Sequence, residues 1–260
     1  MSKKILVIPD VQIKPGIDIS FIREIGQYLV DKRPDVVVCL GDFFDFPSLS
    51  SYDKGRLSFE GRRLQEDIAA GKAAMQALLA PLKSLQERQV QNKKRVYRPR
   101  LVFTIGNHEQ RLARLASEMP ELAGFVGYEL LELDKFGWEV YDFLLPVEIE
   151  GIYFSHYMQN HFTGKPLGGN VLNQLKTVGR SFVVGHKQVL DVAMLPAIDG
   201  TMRLAIVAGA AYPFDEGYKG YQGNNHWRGV ILLHGVEKGF GDPCFVSLDF
   251  LKKKYRKNKE

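Results

Sequence analysis

Three short runs of apolar, mostly β-branched residues stand in the first part of the chain, at residues 4–9, 35–40 and 100–105. Nearly continuous apolar runs of this length are typical of strands buried on both faces of a sheet. Between the first two runs, residues 17–32 carry apolar side chains at helical spacing and end before Pro34. These elements predict a β-α-β unit with a right-handed crossover connection.

Helical and strand-like patterns then separate along the chain. Residues 60–85 predict a long helix with Pro81 near its end, and a shorter helix is predicted from about Glu109 to Ser117. Strands are predicted at residues 138–142, 151–154, 181–184, 189–194, 202–207, 229–233 and 244–248. Because no linker separates the helix-rich part from the strand-rich part, we expect one domain over residues 1–250. It would contain two packed sheets with helices outside, followed by a basic tail at residues 251–260.

Two segments account for the basic character of the chain, whose formal net charge is +5. Residues 251–260 contain six basic residues and one acid, and residues 88–100, from Arg88 to Arg100, contain six basic residues and no acid. The remainder of the chain is therefore net negative. Segments of this kind either contact the phosphate backbone of nucleic acid or are simply solvated, and both alternatives stay open here.

The apolar patterns also bear on the location of the protein. No apolar run approaches the roughly 18 residues of a membrane-spanning helix, and Asp10 interrupts the first run, so neither a membrane segment nor a leader is predicted. Cys39 and Cys244 lie within or beside apolar runs and are expected to be buried, free thiols in a reducing compartment. We expect a cytoplasmic protein (in the host cytoplasm, if phage-encoded) without membrane contact. The sequence indicates no oligomeric state.

Polar motifs follow five of the predicted strands, and each contains side chains that can bind a metal ion or donate a proton. They are Asp10-x-Gln12, Gly41-Asp42-x-x-Asp45, Gly106-Asn107-His108-Glu109, His156 and Gly185-His186-x-Gln188. An isolated aspartate after a strand is usually a helix cap, and a lone histidine is usually a core residue. Five strand ends that all finish in ligand types instead predict a metal site, since ligand sites form where strand ends converge.

The order and spacing of these motifs resemble those of the calcineurin-like metallophosphoesterase superfamily over residues 10–188. The region after Gln188 is similar to the C-terminal part of phage-encoded members. The resemblance implies an α/β fold, a four-layer αββα sandwich of two mixed β-sheets flanked by helices. It also implies a two-metal site that hydrolyses phosphoester bonds with water activated by the metals.

The same resemblance implies a role for each motif. Asp42 would bridge the two metal ions, and His108 would face the substrate as general acid. One metal ion would be completed by Asn107, His156 and His186. The other would be completed by Asp10 and the positions of Gln12 and Gln188.

Elementary chemistry agrees with this division. Two cations roughly 3.5–4 Å apart can activate water and stabilise both the attacking and the leaving oxygen. An imidazole with a pKa of about 6.5 can protonate a leaving group at neutral pH. Glu109 either orients His108 or is a helix-start carboxylate, and Asp45 is expected to fix a loop or a ligand. Arg111, with Asn107, is a candidate to bind the substrate phosphate; a solvated helix arginine is the alternative.

Gln12 and Gln188 stand where the family pattern has histidines, and both belong to the same metal ion. Carboxylate and amide oxygens suit Mg²⁺, Mn²⁺ or Ca²⁺, whereas imidazole suits Zn²⁺, Fe and Ni²⁺. We therefore expect an unequal pair of divalent ions, with Mn²⁺ favoured and Mg²⁺, Fe, Ni²⁺ or Zn²⁺ as alternatives. If neither glutamine binds metal, the second position is weak or empty.

A weakened second metal ion favours monoanionic phosphodiesters over dianionic monoesters. A nuclease or a cyclic-nucleotide phosphodiesterase is therefore slightly favoured, with residues 88–100 and the C-terminal tail as nucleic-acid contacts. The alternatives are a phosphomonoesterase or protein phosphatase, and a non-catalytic relative that binds a phosphate-bearing partner. His108 argues against the last, because a binding module needs no proton donor.

Overall fold

Two mixed β-sheets lie face to face in the computed structural model, which describes residues 2–51, 55, 57–217 and 219–256. The first sheet has the order β11-β10-β1-β2-β3-β4, in which β1 to β4 run parallel. Its strands are β1 (Lys3–Ile8), β2 (Val36–Cys39), β3 (Arg100–Thr104), β4 (Glu139–Tyr141), β10 (Gly229–Glu237) and β11 (Phe240–Ser247).

The second sheet has the order β5-β6-β7-β9-β8, in which β6, β7 and β9 run parallel. Its strands are β5 (Val147–Ile149), β6 (Ile152–Ser155), β7 (Phe182–Val184), β8 (Leu190–Pro196) and β9 (Met202–Ala208). The helices are α1 (Ser20–Lys32), α2 (Leu64–Gln91), α3 (Gln110–Glu118), α4 (Val171–Val178), α5 (Gly220–Asn224) and α6 (Leu248–Arg256).

Alternation along the buried strands produces the layers. Val7, Val38 and Val102 lie in register across β1, β2 and β3, and all three face the second sheet. Leu6 and Ile8 point to the opposite face, where α1, α2 and α6 pack. Helix α4 covers the outer face of the second sheet. The predicted four-layer αββα sandwich is therefore confirmed.

The structure also differs from the sequence pattern in places. Helix α2 continues ten residues past Pro81, although proline removes a helical hydrogen bond. Burial of Leu78, Leu82 and Leu85 on one helix face compensates for that loss. The periodicity does not predict β5, α4 or α6. Both cysteines are free thiols, but Cys244 is exposed rather than buried, because β11 is the edge strand of its sheet.

Helix α6 runs across residue 250, where the sequence pattern placed the start of the basic tail. Leu248 and Leu251 are buried in the core beside α1. Arg256 forms an ion pair with Glu24 of α1, and Lys254 lies 3.4 Å from the Asp31 carboxylate. Part of the basic segment is thus a helix held against α1, while residues 257–260 lie outside the described residues. None of the described helices is long and apolar enough to cross a membrane.

If α6 belongs to the core, Leu251→Ala should lower the free energy of unfolding by about 2–5 kcal/mol. Phe250→Ala is the matched control, because the Phe250 side chain is 51% exposed whereas Leu251 is fully buried. Urea unfolding of both variants measures the difference. Equal stability of the two variants would show that α6 does not contribute to the core.

Candidate metal centre

The polar motifs all lie at one edge of the two sheets, just beyond the carboxyl ends of parallel strands. Asp10 follows β1, Asp42 follows β2, and Asn107 follows β3 in the first sheet. His156 follows β6 and His186 follows β7 in the second sheet. Because the sheets pack face to face, the loops from both meet above the same edge, and the structure brings the side chains together.

Two motif glycines allow these loops to touch. A Cβ atom at Gly106 would lie 2.3 Å from the backbone nitrogen and from Oδ1 of Asp42. A Cβ atom at Gly185 would lie 2.3 Å from Oδ1 of Asp10. Any side chain at either position would push the loops apart, so these glycines are required for the close approach.

Four side chains form a compact set of candidate ligands. One ligand atom from each of Asp42, His156 and His186 lies within 4.8 Å of the other two. The Oδ1 atom of Asn107 lies 2.8 Å from Nε2 of His156 and 2.7 Å from Nδ1 of His186. Oxygen and imidazole ligands in this combination suit Mn²⁺, Fe or Zn²⁺, so this half of the site fits a divalent ion.

A backbone carbonyl orients the buried imidazole of His156. Its Nδ1 donates to the carbonyl oxygen of Leu40 at 2.8 Å, which leaves Nε2 directed at Asp42 and Asn107. A hydrogen bond from the second ring nitrogen is the usual way in which a protein fixes a metal-binding histidine.

The ionisable side chains of this set shift one another's pKa values. Burial acts to lower the pKa of His156, yet the neighbouring Asp42 raises it to about 9. Burial acts to raise the pKa of Asp42, but His108 and His156 outweigh it and hold that pKa below its usual range. Burial and the charge on His156 together lower the pKa of His186 to about 4. The cluster therefore carries a positive imidazolium where a metal ion would bind.

The Asp10 half of the site is different. Oδ1 of Asp10 accepts from the His186 amide at 3.0 Å, while Oδ2 is buried without a hydrogen-bond partner among the described residues. The same is true of both amide atoms of Gln12. Gln188, however, accepts hydrogen bonds at Oε1 from Tyr212 at 2.9 Å and from Lys219. Gln188 is thus engaged by two donors, whereas Asp10 and Gln12 keep unpartnered oxygens on this side of the centre. A second divalent ion therefore has fewer available ligands here than the first has at Asp42, Asn107, His156 and His186.

His108 is held by Asp45. Its Nδ1 lies 2.8 Å from Oδ1 and 2.8 Å from the carbonyl oxygen of Asp45, and its Nε2 lies 3.7 Å from Oδ2 of Asp42. Burial acts to lower the pKa of His108, but Asp42 and Asp45 outweigh it and raise that pKa above its ordinary value. Asp45 thus orients the imidazole of His108, while its expected role in fixing a loop or a metal ligand stays a prediction.

Glu109 does not orient His108, and the structure corrects that expectation. Its buried carboxylate accepts from the backbone amides of Asp42 at 2.8 Å, Phe44 at 2.9 Å and Gly106 at 2.9 Å. Those donors lie in two different motif loops, so the side chain faces the backbone rather than the imidazole next to it in sequence. Its position between the loops gives Glu109 an architectural role.

Arg111 likewise binds the protein itself. Its guanidinium donates to the carbonyl oxygens of Asp45 at 2.8 Å and Phe46 at 3.1 Å, and it lies 3.3 Å from Nε2 of His108. These contacts contradict the solvated-arginine alternative. Binding of a substrate phosphate by Arg111 and Asn107 stays a prediction; both residues line the cavity beside the centre.

A cavity of about 1060 Å³ opens beside His108 and His186. Among the described residues, and apart from the histidines, the charged side chains that line it are four basic and five acidic ones: Lys14, Arg62, Arg63, Arg111, Asp45, Glu60, Glu66, Asp67 and Glu216. The motif pattern does not predict Lys14 as a cavity residue. Its Nζ donates hydrogen bonds to both carboxylate oxygens of Glu216 at 2.8 Å. The motif pattern also misses Lys219, since a single lysine in a glycine-rich stretch carries no sequence signal.

A family model described as calcineurin-like phosphoesterase matches residues 3–195. The chain belongs to the calcineurin-like phosphoesterase family. It is therefore a metal-dependent hydrolase of phosphoester bonds, as its set of candidate ligands also indicates.

The phosphoesterase is also similar to phage proteins. It is 29% identical to the Gene 54 protein of Mycobacterium phage D29 and 28% identical to that of Mycobacterium phage L5. Each match extends over 191 residues, which is 72% of this chain and 69% of the relative. Among solved structures, Yfce, a phosphoesterase from E. coli, matches over 94% of this chain and 99% of its own. That match has 10% identity and a TM-score of 0.41.

Loss of the Glu109 carboxylate should destabilise the phosphoesterase. Glu109→Ala leaves three buried amides without their acceptor, and we expect a loss of about 3–5 kcal/mol in the free energy of unfolding. Glu118→Ala, an exposed glutamate at the end of α3, is the control. Denaturant unfolding without metal compares the two. If the Glu109 variant were as stable as the control, the architectural role assigned to Glu109 would be wrong.

Metal binding should release a proton from His156. Below pH 9 the metal-free imidazole is charged, so a cation must displace its proton, whereas above pH 9 no proton remains to be displaced. The affinity for Mn²⁺ should therefore rise by up to about tenfold per pH unit from pH 7 towards 9 and then level off. Calorimetry at pH 7 in buffers of different ionisation enthalpy counts the protons. Binding without proton release would contradict this assignment.

Proposed function

We propose that this phosphoesterase hydrolyses phosphodiesters at a divalent ion, Mn²⁺ being the favoured metal, held by Asp42, Asn107, His156 and His186. The observation that carries the proposal is the close set of ligand atoms beside a histidine that faces the cavity. A bound divalent ion would neutralise charge on the phosphate oxygens and lower the pKa of the attacking water.

The protein's own contribution to the reaction centres on His108. Asp45 accepts a hydrogen bond from Nδ1 of His108 and stabilises the imidazolium, in which Nε2 carries the second proton on the side towards Asp42. Against the effect of burial, the neighbouring carboxylates of Asp42 and Asp45 raise the pKa of His108, which favours this form. A leaving oxygen next to Nε2 can take that proton as its bond to phosphorus breaks, which is general acid catalysis.

The charges of the cavity support a diester rather than a monoester. The four basic and five acidic side chains that the described part of the chain places in its lining nearly balance, so these residues offer little net attraction to a dianion. A phosphodiester carries a single negative charge and has a group on each side of phosphorus. At about 1060 Å³ the cavity has room for both groups.

A second divalent ion beside Asp10 stays a prediction of the family pattern, and the engaged oxygen of Gln188 counts against it. Nucleic-acid binding through residues 88–100 and the C-terminal segment also stays a prediction, as does the cytoplasmic location. Arg100 begins β3 and Asn107 follows its other end, so contacts at residues 88–100 would anchor a long substrate away from the scissile bond.

His108→Ala should lower kcat by about 10²–10⁴ for a diester with an alkyl leaving group, which needs a proton. The same variant should lose less than about tenfold with p-nitrophenolate as leaving group, because that anion departs unprotonated. Both rates are measured with Mn²⁺. Equal losses for the two leaving groups would exclude His108 as general acid.

The substrate class is tested by kcat/KM for a phosphomonoester, a linear diester, a cyclic diester and single-stranded DNA, each with Mn²⁺, Mg²⁺ and Zn²⁺. The proposal expects the diesters to be hydrolysed faster than the monoester. A monoester preference would overturn it and favour a phosphatase.

A further inference from the structure

The ammonium group of Lys219 lies beside a residue of the predicted second metal position. Its Nζ donates to Oε1 of Gln188 and lies 3.0 Å from the hydroxyl oxygen of Tyr212. Tyr212 is fully buried and donates to the same Gln188 oxygen at 2.9 Å. Lysine, tyrosine and glutamine thus form a group of three in which the oxygen of Gln188 accepts from both of the others.

A backbone contact places this group of three in the Asp10 half of the centre. The amide of Ala211, next to Tyr212, donates to the Asp10 carbonyl oxygen at 2.7 Å, which fixes this part of the chain against the end of β1. Lys219 also lies beyond residues 3–195, the part that the family model matches, so the family pattern gives no information about it.

We infer that the Lys219 ammonium takes the place of the second divalent ion, so that the centre holds one metal ion and one lysine. The inference rests on the proposed metal site at Asp42, Asn107, His156 and His186. It adds an electrostatic role for Lys219 that the five motifs do not contain.

This arrangement gives a reason for the glutamine at position 188. An ammonium has three donors and no acceptor, and an amide oxygen is a good neutral acceptor for it. An imidazole at this position would instead favour a transition metal. Glutamine in place of histidine at position 188 therefore removes a metal ligand and supplies an acceptor for the lysine. At position 12 the same exchange removes a metal ligand without a contact to the lysine, because both amide atoms of Gln12 lack a hydrogen-bond partner among the described residues.

The exchange also changes the charge next to the phosphate. A lysine supplies one positive charge where a second metal ion would supply two. The lower charge stabilises a monoanionic substrate adequately but a dianionic one less well, since Coulomb attraction scales with the product of the charges. The inference thus agrees with a phosphodiester substrate, although metal content tests it independently of substrate.

The decisive measurement is the number of Mn²⁺ ions bound per chain, by equilibrium dialysis with elemental analysis. Electron paramagnetic resonance distinguishes an isolated Mn²⁺ from an exchange-coupled pair. The wild-type protein should bind one isolated ion. Gln12→His/Gln188→His restores two imidazoles but keeps the lysine, whereas Gln12→His/Gln188→His/Lys219→Met also removes the ammonium.

We expect the triple variant to bind a second, exchange-coupled ion at least about tenfold more tightly than the double variant, because the competing charge is gone. Lys187→Met in the double variant is the matched control: Lys187 follows His186 directly, is exposed, and donates to the Gly169 carbonyl oxygen at 2.8 Å. This control should not gain the second ion. Binding of the first ion shows that each variant keeps its native centre.

Two Mn²⁺ ions of similar affinity in the wild-type protein would overturn the inference and leave the proposed function standing. Equal second-ion affinity in the double and triple variants would overturn it as well. A wild-type protein that binds no Mn²⁺ would contradict the proposed function itself, and the inference with it.

Discussion

Three hydrogen bonds to the buried carboxylate of Glu109 hold together the two loops on which the centre depends. The carboxylate accepts from Asp42 and Phe44 in the loop after β2 and from Gly106 in the loop after β3. In return, Oδ1 of Asp42 accepts from the amide of His108 at 2.8 Å. Burial and the nearby charge of Asp42 raise the pKa of Glu109 to about 7. An acceptor that satisfies several amides in a water-excluded site is nevertheless costly to remove, because the amides are left without a partner. The positions of the ligand Asp42 and of the acid His108 are therefore set by one network.

The same network of hydrogen bonds holds parts of the backbone in a strained conformation. Gln12, Asp42, His186 and Gln188 all have positive φ values between 49° and 65°, a region that side chains other than glycine seldom adopt. Strain of this kind persists only where the surrounding structure overdetermines the conformation, and it concentrates at functional sites. Here the hydrogen bonds between loops supply the constraint, and the result is that side chains from two separate sheets point at a common centre.

The centre is unequal in its two halves for a chemical reason. One half combines a carboxylate, an amide oxygen and two imidazoles at close range, where, against the effect of burial, Asp42 raises the pKa of His156 and His156 lowers that of Asp42. The other half consists of oxygen and amide groups, one of them bonded to Tyr212 and Lys219. The described residues that line the surrounding cavity are nearly balanced in charge. A weak second half and a balanced lining both limit the positive charge next to a phosphate, which agrees with the proposed substrate of single negative charge.

The sequence by itself determined the strand–helix order of the parallel part, the sandwich class and the edge at which the motif residues meet. These features follow from the local apolar periodicity and from the spacing of the motifs, both of which can be read directly from the sequence. Only the tertiary structure decided that Glu109 binds backbone amides while Asp45 holds His108, because neighbours in sequence here point in different directions. It also decided the packing of α6 and the continuation of α2 past Pro81, where burial outweighs local preference. Lys219 reaches Gln188 across 31 residues, and no local pattern encodes a contact that the folding of two sheets creates.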